Sequence, residues 1–148
     1  MRILIIITCL FLTPLVTYAG EIDVSEEIVK LAESGDQEAQ FKLAELYRSQ
    51  GGEENEKKSI LLYQNSAQGG NIEAQVLLSL FYYFGVAHSN IDPDAKKAYA
   101  WASVAGRQGH ENAQRMAKEY VVELSSDDLS EAKSLAQKYY SLYVEPFK

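Results

Sequence analysis

His88, Asp92 and Asp94 form the group of side chains in this sequence whose types and spacing could support acid–base chemistry. The two aspartates follow His88 within six residues of a short polar stretch. An imidazole and a carboxylate that converge on a pocket can activate water for hydrolysis. A small hydrolase is therefore one hypothesis for this chain, but the stretch alone does not supply the other groups that such a site requires.

The second histidine, His110, stands at a position that favours a structural role. It immediately precedes an apolar-periodic stretch, as Asp36 and Asn71 do in two similar stretches upstream. Polar side chains at such positions accept hydrogen bonds from the free N–H groups that begin a helix. We therefore predict that His110 caps a helix and has no catalytic role.

Motifs of the common hydrolases and nucleotide-binding enzymes are absent from the sequence. It contains no Gly-x-Ser-x-Gly, no His-Glu-x-x-His and no glycine-rich phosphate loop. Most glycines instead lie in the short turns between the periodic stretches. We expect no catalytic residues, no cofactor and no metal site, and an enzyme is the least favoured of the functional classes.

The first 19 residues have the features of a cleavable export signal. Arg2 is followed by an apolar run over residues 3–12, and the stretch 17–19 ends in the small residue Ala19. The run is short and is followed by Pro14, whereas a permanent membrane span takes about 20 apolar residues. We predict that the protein is exported and becomes periplasmic or secreted after cleavage near Ala19, without a stable membrane span in the mature chain.

The mature chain of 129 residues is acidic and free of cysteine. It carries 21 Asp and Glu against 13 Lys and Arg, a formal charge of −8, and the single cysteine, Cys9, lies in the signal. This charge disfavours binding to nucleic acid or to anionic lipid. Without cysteine the chain can form neither a disulfide nor a thiolate metal site. Its length predicts one domain.

Helical periodicity runs through nearly the whole mature chain, and short Gly-rich or Asn/Asp-rich turns separate the periodic stretches. No stretch alternates as a strand would. The sequence therefore predicts an all-α protein of about seven helices arranged as antiparallel pairs, at residues 23–34, 36–50, 55–68, 72–84, 92–107, 111–124 and 125–143.

An internal repeat sets the predicted organisation. Gly35, Gly70 and Gly109 are each followed four residues later by Ala-Gln, with spacings of 35 and 39 residues. A period in this range is typical of stacked helix pairs, each of which needs a neighbour to bury its apolar face. We predict a signal peptide at 1–19, an N-terminal helix at 20–35, repeats at 36–70 and 71–109, a third repeat or C-terminal cap at 110–143, and a tail at 144–148.

The second repeat carries the resemblance to a known family, in the residues Asp94-x-x-Lys97-Ala98-x-x-Trp101 and Ala105-Gly106-Arg107-Gln108-Gly109. They resemble the Sel-one-like repeat (SLR) family, which is related to the tetratricopeptide repeats. The likeness spans roughly residues 28–140 and is weaker in the first repeat, where Ser59 and Leu62 replace Ala98 and Trp101. It implies a right-handed α-solenoid that acts as a non-enzymatic, protein-binding adaptor. Some short exported members look like immunity proteins, so a periplasmic inhibitor of an envelope-targeting toxin, for example a secreted lipase, is the alternative.

The resemblance also implies that the first helix of each unit lines a concave surface that contacts a protein partner. The candidate contacts are Gln40, Phe41, Glu45, Arg48, Val76, Ser79, Tyr83, Arg115 and Glu119. The stretch at 76–83 is apolar at positions where the first unit is largely charged. This difference fits either burial in the core or a docking patch.

Overall fold

The computed structural model describes residues 19–87 and 89–148, with side chains from Glu26 onward. It has helices α1 (Ala19–Glu33), α2 (Gln37–Gln50), α3 (Glu53–Gln68), α4 (Ile72–Phe84), α5 (Ala95–Arg107), α6 (Glu111–Tyr120) and α7 (Ser126–Tyr143). Single 3-10 turns follow at Val121–Glu123 and Glu145–Phe147. The described ranges contain no strand, only an isolated bridge between Val86 and Ile91. The all-α prediction is confirmed, while residues 1–18 of the predicted signal and His88 lie outside the described residues.

Four predicted helix boundaries were wrong by two residues or more, and local electrostatics and capping account for two of them. α3 begins at Glu53 and not at Asn55, because the acidic stretch forms its first turn, where the helix dipole favours carboxylates. α5 begins only at Ala95, because Asp94 is its N-cap. α1 begins at Ala19 and not at Asp23, and α6 ends at Tyr120 and not at Leu124, because a 3-10 turn follows it.

The turn between successive repeat units has the same construction three times. At its centre Gly70 has a φ of 98°, and the equivalent Gly35 and Gly109 have φ values of 94° and 100°. Only glycine adopts this backbone without strain. The next residue then caps the following helix: Asp36, Asn71 and His110 accept the N–H groups of Ala39, Ala74 and Ala113 at 2.7, 2.9 and 3.2 Å. The prediction that His110 is a cap is confirmed.

The glutamine of each Ala-Gln pair ties its helix to the preceding one. The Nε2 atoms of Gln40, Gln75 and Gln114 donate to the carbonyl oxygen eight residues earlier, at 3.2, 3.2 and 2.9 Å. Gln75 is fully buried, and its Oε1 also accepts a hydrogen bond from Gln108 Nε2 at 2.6 Å. The repeated glutamine is therefore a structural bond between units, a role that its spacing alone did not reveal.

The helices stack through small residues, with large ones filling the space between them. Ala44, Ala67 and Ala74 are fully buried in one cluster with Tyr63, Leu78 and Trp101. α2 packs against α3 and α4 against α5, while α3 also contacts α4 and α5 also contacts α6. Each helix pair thus buries its apolar side against the next, which is the packing of an α-solenoid.

The third unit departs from the first two, because α6 and α7 do not pack as a pair. α7 lies along α5 instead and makes little contact with α6. Lys96 Nζ near the start of α5 is 3.3 Å from Asp128 and 2.7 Å from Glu131 near the start of α7. Arg107 at the end of α5 donates to Gln137 at 3.0 Å, so the two helices run in the same direction. The physical reason is length: α6 has only ten residues, and its apolar side chains already pack against α4 and α5.

Candidate functional site

The candidate contacts fall into rows that run across the solenoid. The repeat makes Phe41, Val76 and Arg115 equivalent, and it makes Glu45 equivalent to Leu80 and Glu119. Seven of the nine candidate side chains are partly or fully exposed: Phe41, Glu45, Arg48, Val76, Tyr83, Arg115 and Glu119. We call these seven residues the row face.

Gln40 and Ser79 do not belong to this surface, and their prediction as contacts is corrected. Gln40 is 9% exposed and uses its amide on the carbonyl of Ala32. Ser79 is fully buried, and its hydroxyl donates to the carbonyl of Ala98 at 3.0 Å. Both stand on the sides of α2 and α4 that meet neighbouring helices. Helical spacing places them near the row face but cannot show which side the next helix covers.

The first-unit end of the row face holds a carboxylate in a defined position. Tyr63 is fully buried, and its hydroxyl donates to Glu45, which also pairs with Arg48 at 3.0 Å. The hydrogen bond from Tyr63 lowers the pKa of Glu45, and burial raises the pKa of Tyr63. Phe41 packs edge-on against the same ring with centroids 5.6 Å apart. This end therefore presents a charged pair beside an aromatic edge at neutral pH.

The middle of the row face is apolar and half-buried. Val76 keeps part of its surface exposed, and so does Leu80, which lies one helical turn further along α4 and outside the seven. Tyr83 stacks on Tyr120 of α6, with centroids 4.5 Å apart, and donates its hydroxyl to the carboxylate of Glu123. That hydrogen bond raises the pKa of Tyr83. These side chains are thus fixed by their neighbours and still present a surface.

The residues of the hydrolase hypothesis do not form a site in the described structure. Asp94 accepts the N–H of Lys97 at 3.0 Å and pairs with the Lys97 ammonium at 3.3 Å, so it is occupied as a helix cap. Asp92 is exposed, and His88 lies outside the described residues. Across residues 19–87 and 89–148 no group of three or more His, Cys, Asp or Glu side chains is placed to hold a metal ion. In the same ranges, no helix combines the length and apolarity that a membrane crossing requires.

The structure adds a groove that the sequence did not identify. It lies between α1 and α3 with α2 as its floor, has a volume of about 380 Å³, and is lined by apolar parts of Val29, Ala32, Leu43, Tyr47, Leu61 and Leu62. Leu61 is 58% exposed at its edge. We call this surface the open groove. The only signal in the sequence was Leu61, an apolar residue on the otherwise polar face of α3. Single exposed leucines are common, so this signal was weak.

The equivalent groove one unit further on is covered by α7. It lies between α3 and α5 over α4, and Trp101 at its centre packs against Tyr139 and Tyr143 with centroids 4.6 and 5.6 Å apart. α7 also contacts α3, and its last residue lies against the turn after α3, where a Cβ added to Gly70 would be 3.3 Å from the Tyr143 carbonyl oxygen. Burial raises the pKa of Tyr139 to about 12. We call this surface the covered groove.

Comparison with known proteins agrees with this architecture. The family model of the Sel1 repeat matches residues 37–71 and 72–110, half of the chain. The chain is also similar to the crystal structure of a protective antigen present in uropathogenic Escherichia coli strains that displays an SLR fold, with 24% sequence identity and a TM-score of 0.73. The match covers 85% of this chain but only 27% of that one, so the likeness concerns the fold. No curated protein matches the chain in sequence. The repeated turns, the stacked pairs and the family match lead to one conclusion: the chain belongs to the Sel1 repeat family.

Proposed function

We propose that this protein is a non-enzymatic scaffold that binds another protein through the row face. The observation that carries the proposal is the row itself: equivalent positions on α2 and α4 present Phe41 and Val76, and Tyr83 follows further along α4, among charges of both signs. Aromatic and aliphatic centres with a charged rim are typical of protein interfaces. Sel1 repeats and the SLR fold support a role in protein–protein interaction.

The hydrogen bonds and ring contacts around the row face support a role in binding a protein partner. Glu45 is held by Tyr63, and Tyr83 is held by Tyr120 and Glu123. Side chains fixed before binding lose little conformational entropy when a partner arrives.

Capture of a partner tests the row face. The double substitution Arg48→Glu and Arg115→Glu reverses two exposed charges of the row face, and we expect it to abolish capture of the partner by the tagged protein from an envelope extract. Charge reversal places like charges against the partner, which weakens specific association strongly. Mass spectrometry of the captured proteins, compared with that for the unsubstituted chain, provides the measurement.

A matched control separates the row face from the net charge. Lys133→Glu with Lys138→Glu makes the same charge change on exposed positions of α7, and we expect capture to persist. Circular dichroism should be unchanged for both double variants. Equal capture by the two variants would reject the row face as the binding surface.

We further propose that the protein is exported and acts in the periplasm or outside the cell. The support is the signal-like composition of residues 1–19 and the cysteine-free, acidic mature chain. Mass spectrometry of the protein from the periplasmic fraction should give a chain that begins at Gly20. An intact chain retained in the cytoplasm would count against export.

The immunity alternative predicts a different partner from the same capture. An adaptor should bring down components of an envelope complex, whereas an immunity protein should bring down a toxin and suppress its activity in a mixture of the two purified proteins. A captured lipase that remains fully active in the complex would speak against the immunity role.

A further inference from the structure

The first two units of this chain contain the same groove twice, once covered and once open. The alignment of the repeats makes Leu43, Tyr47 and Leu62 of the open groove equivalent to Leu78, Tyr82 and Trp101 of the covered one. Lys58 Nζ lies 5.6 Å from the centre of the Tyr47 ring, and Lys97 Nζ lies 5.0 Å from that of Tyr82. The two grooves therefore share their floor, one wall and a cation–aromatic contact.

The covered groove shows what kind of element this shape accepts. α7 presents Tyr139 and Tyr143, one helical turn apart, to the central Trp101. Val104 further along the wall is fully buried and packs with Tyr140 and Val144. The molecule thus already contains one such groove in which an amphipathic helix is bound between two other helices.

No helix of the described structure covers the open groove as α7 covers the other one. Leu61 stands where the covered groove has Ala100; Leu61 is 58% exposed, whereas Ala100 is fully buried. Tyr47 and Leu62 line the groove with part of their surface exposed. The apolar wall that α7 covers in one unit is therefore presented to solvent in the other.

The charges around the open groove give its occupant a direction. In the covered groove, Lys96 pairs with Asp128 and Glu131 in the first turns of α7. Its counterpart in the first unit is Lys57, an exposed residue in the first turns of α3 that pairs with Glu53. At the opposite end, Glu33 is exposed on the rim, at the position equivalent to Gln68. A bound helix with an acidic first turn and a basic last turn would pair with the lysine at one end and the glutamate at the other. The same charges would also be favourable to its own helix dipole.

We propose that the open groove binds an amphipathic helix of a partner protein, seated parallel to α3, with two aromatic side chains four residues apart, an acidic first turn and a basic last turn. The aromatic pair packs on Tyr47 and Leu62, the acidic turn pairs with Lys57, and the basic turn pairs with Glu33. This surface is separate from the row face, so either can fail without the other.

A synthetic peptide provides the probe. It carries the sequence of residues 125–144, which contains the acidic start and the paired tyrosines of α7, followed by two added lysines. We expect the fluorescently labelled peptide to bind the full chain saturably, as measured by anisotropy. Leu61→Asp should weaken the binding by about tenfold or more, because it places a charge on the exposed apolar edge of the groove. Leu142→Asp, the same change at a 50% exposed position of α7, should leave it unchanged.

The single tryptophan distinguishes the two grooves. Trp101 lies in the covered groove under Tyr139 and Tyr143, so its fluorescence reports displacement of the chain's own α7. We expect its emission to stay constant while the peptide binds. A peptide in which both paired tyrosines are alanine should not bind.

Four outcomes would overturn the proposal. Two are the absence of binding, and binding that Leu61→Asp does not weaken. The third is a change in Trp101 emission on binding, which would mean that the peptide displaces the chain's own α7 from the covered groove. The fourth is that the groove is already occupied. Occupation by a second copy of the chain would give a dimer in sedimentation that Leu61→Asp dissociates. Occupation by residues 1–19 would let the peptide bind only to a chain that begins at Gly20.

Discussion

Replacement of Trp101 by alanine should lower the free energy of unfolding by about 3–5 kcal/mol, as truncation of a large buried aromatic side chain does. Trp101 is 4% exposed and belongs to the cluster that joins α2, α3, α4 and α5. It also carries the stacking of Tyr139 and Tyr143, so its loss removes one of the two apolar contacts of α7 with α5. Domains of this size are stable by about 5–15 kcal/mol, so this single truncation should remove a large fraction of the stability of the protein.

Urea denaturation followed by far-UV circular dichroism measures this effect, since the variant has no tryptophan fluorescence. Phe84→Ala provides the control, because Phe84 is 72% exposed and its truncation should change stability by no more than about 0.5 kcal/mol. Leu62→Ala tests the equivalent position beside the open groove, where no helix is stacked, and should cost less than Trp101→Ala. Equal costs for Leu62→Ala and Trp101→Ala would show that α7 contributes little to the core.

Gln75→Leu should destabilise the protein by about 1–3 kcal/mol, the usual cost of leaving buried polar groups without partners. Gln75 is fully buried, donates to the Ala67 carbonyl and accepts from Gln108. Leucine is similar in volume, but it can hydrogen-bond neither to the Ala67 carbonyl oxygen nor to the Gln108 amide. The loss falls on the junction between the two complete repeats, so the unfolding transition should also become less cooperative.

The other two glutamines make an internal series for this prediction. Gln40 is 9% exposed and makes the same bond, whereas Gln114 is exposed and makes it at the surface. We expect the cost of substitution by leucine to fall from Gln75 to Gln40 to Gln114, because water replaces the lost bond most easily where the amide is exposed. Differential scanning calorimetry of the three variants gives the order. A cost at Gln114 equal to that at Gln75 would show that the hydrogen bond itself, and not its burial, sets the energy.

The sequence by itself determined the helices, the repeat and the turns. The boundaries of α4 follow from Asn71 before it and Gly85 after it, and the three glycine turns follow from a backbone that other residues adopt only with strain. These features depend on interactions within a few residues, so each can be read from the chain directly. The resemblance of the second repeat to a known family was sufficient for the fold, and the family match confirms it.

Only the tertiary structure decided which faces meet. Ser79 and Tyr83 stand on the same apolar helix, yet one is buried under α5 and the other forms part of a surface. α7 follows α6 in sequence but packs on α5, because Trp101 offers its tyrosines more apolar contact than the short α6 can. The open groove exists for the same reason: it is the space left where no second helix like α7 is available to cover Leu61. Contacts between residues far apart in the chain depend on the shapes and volumes of both partners, and local sequence carries neither.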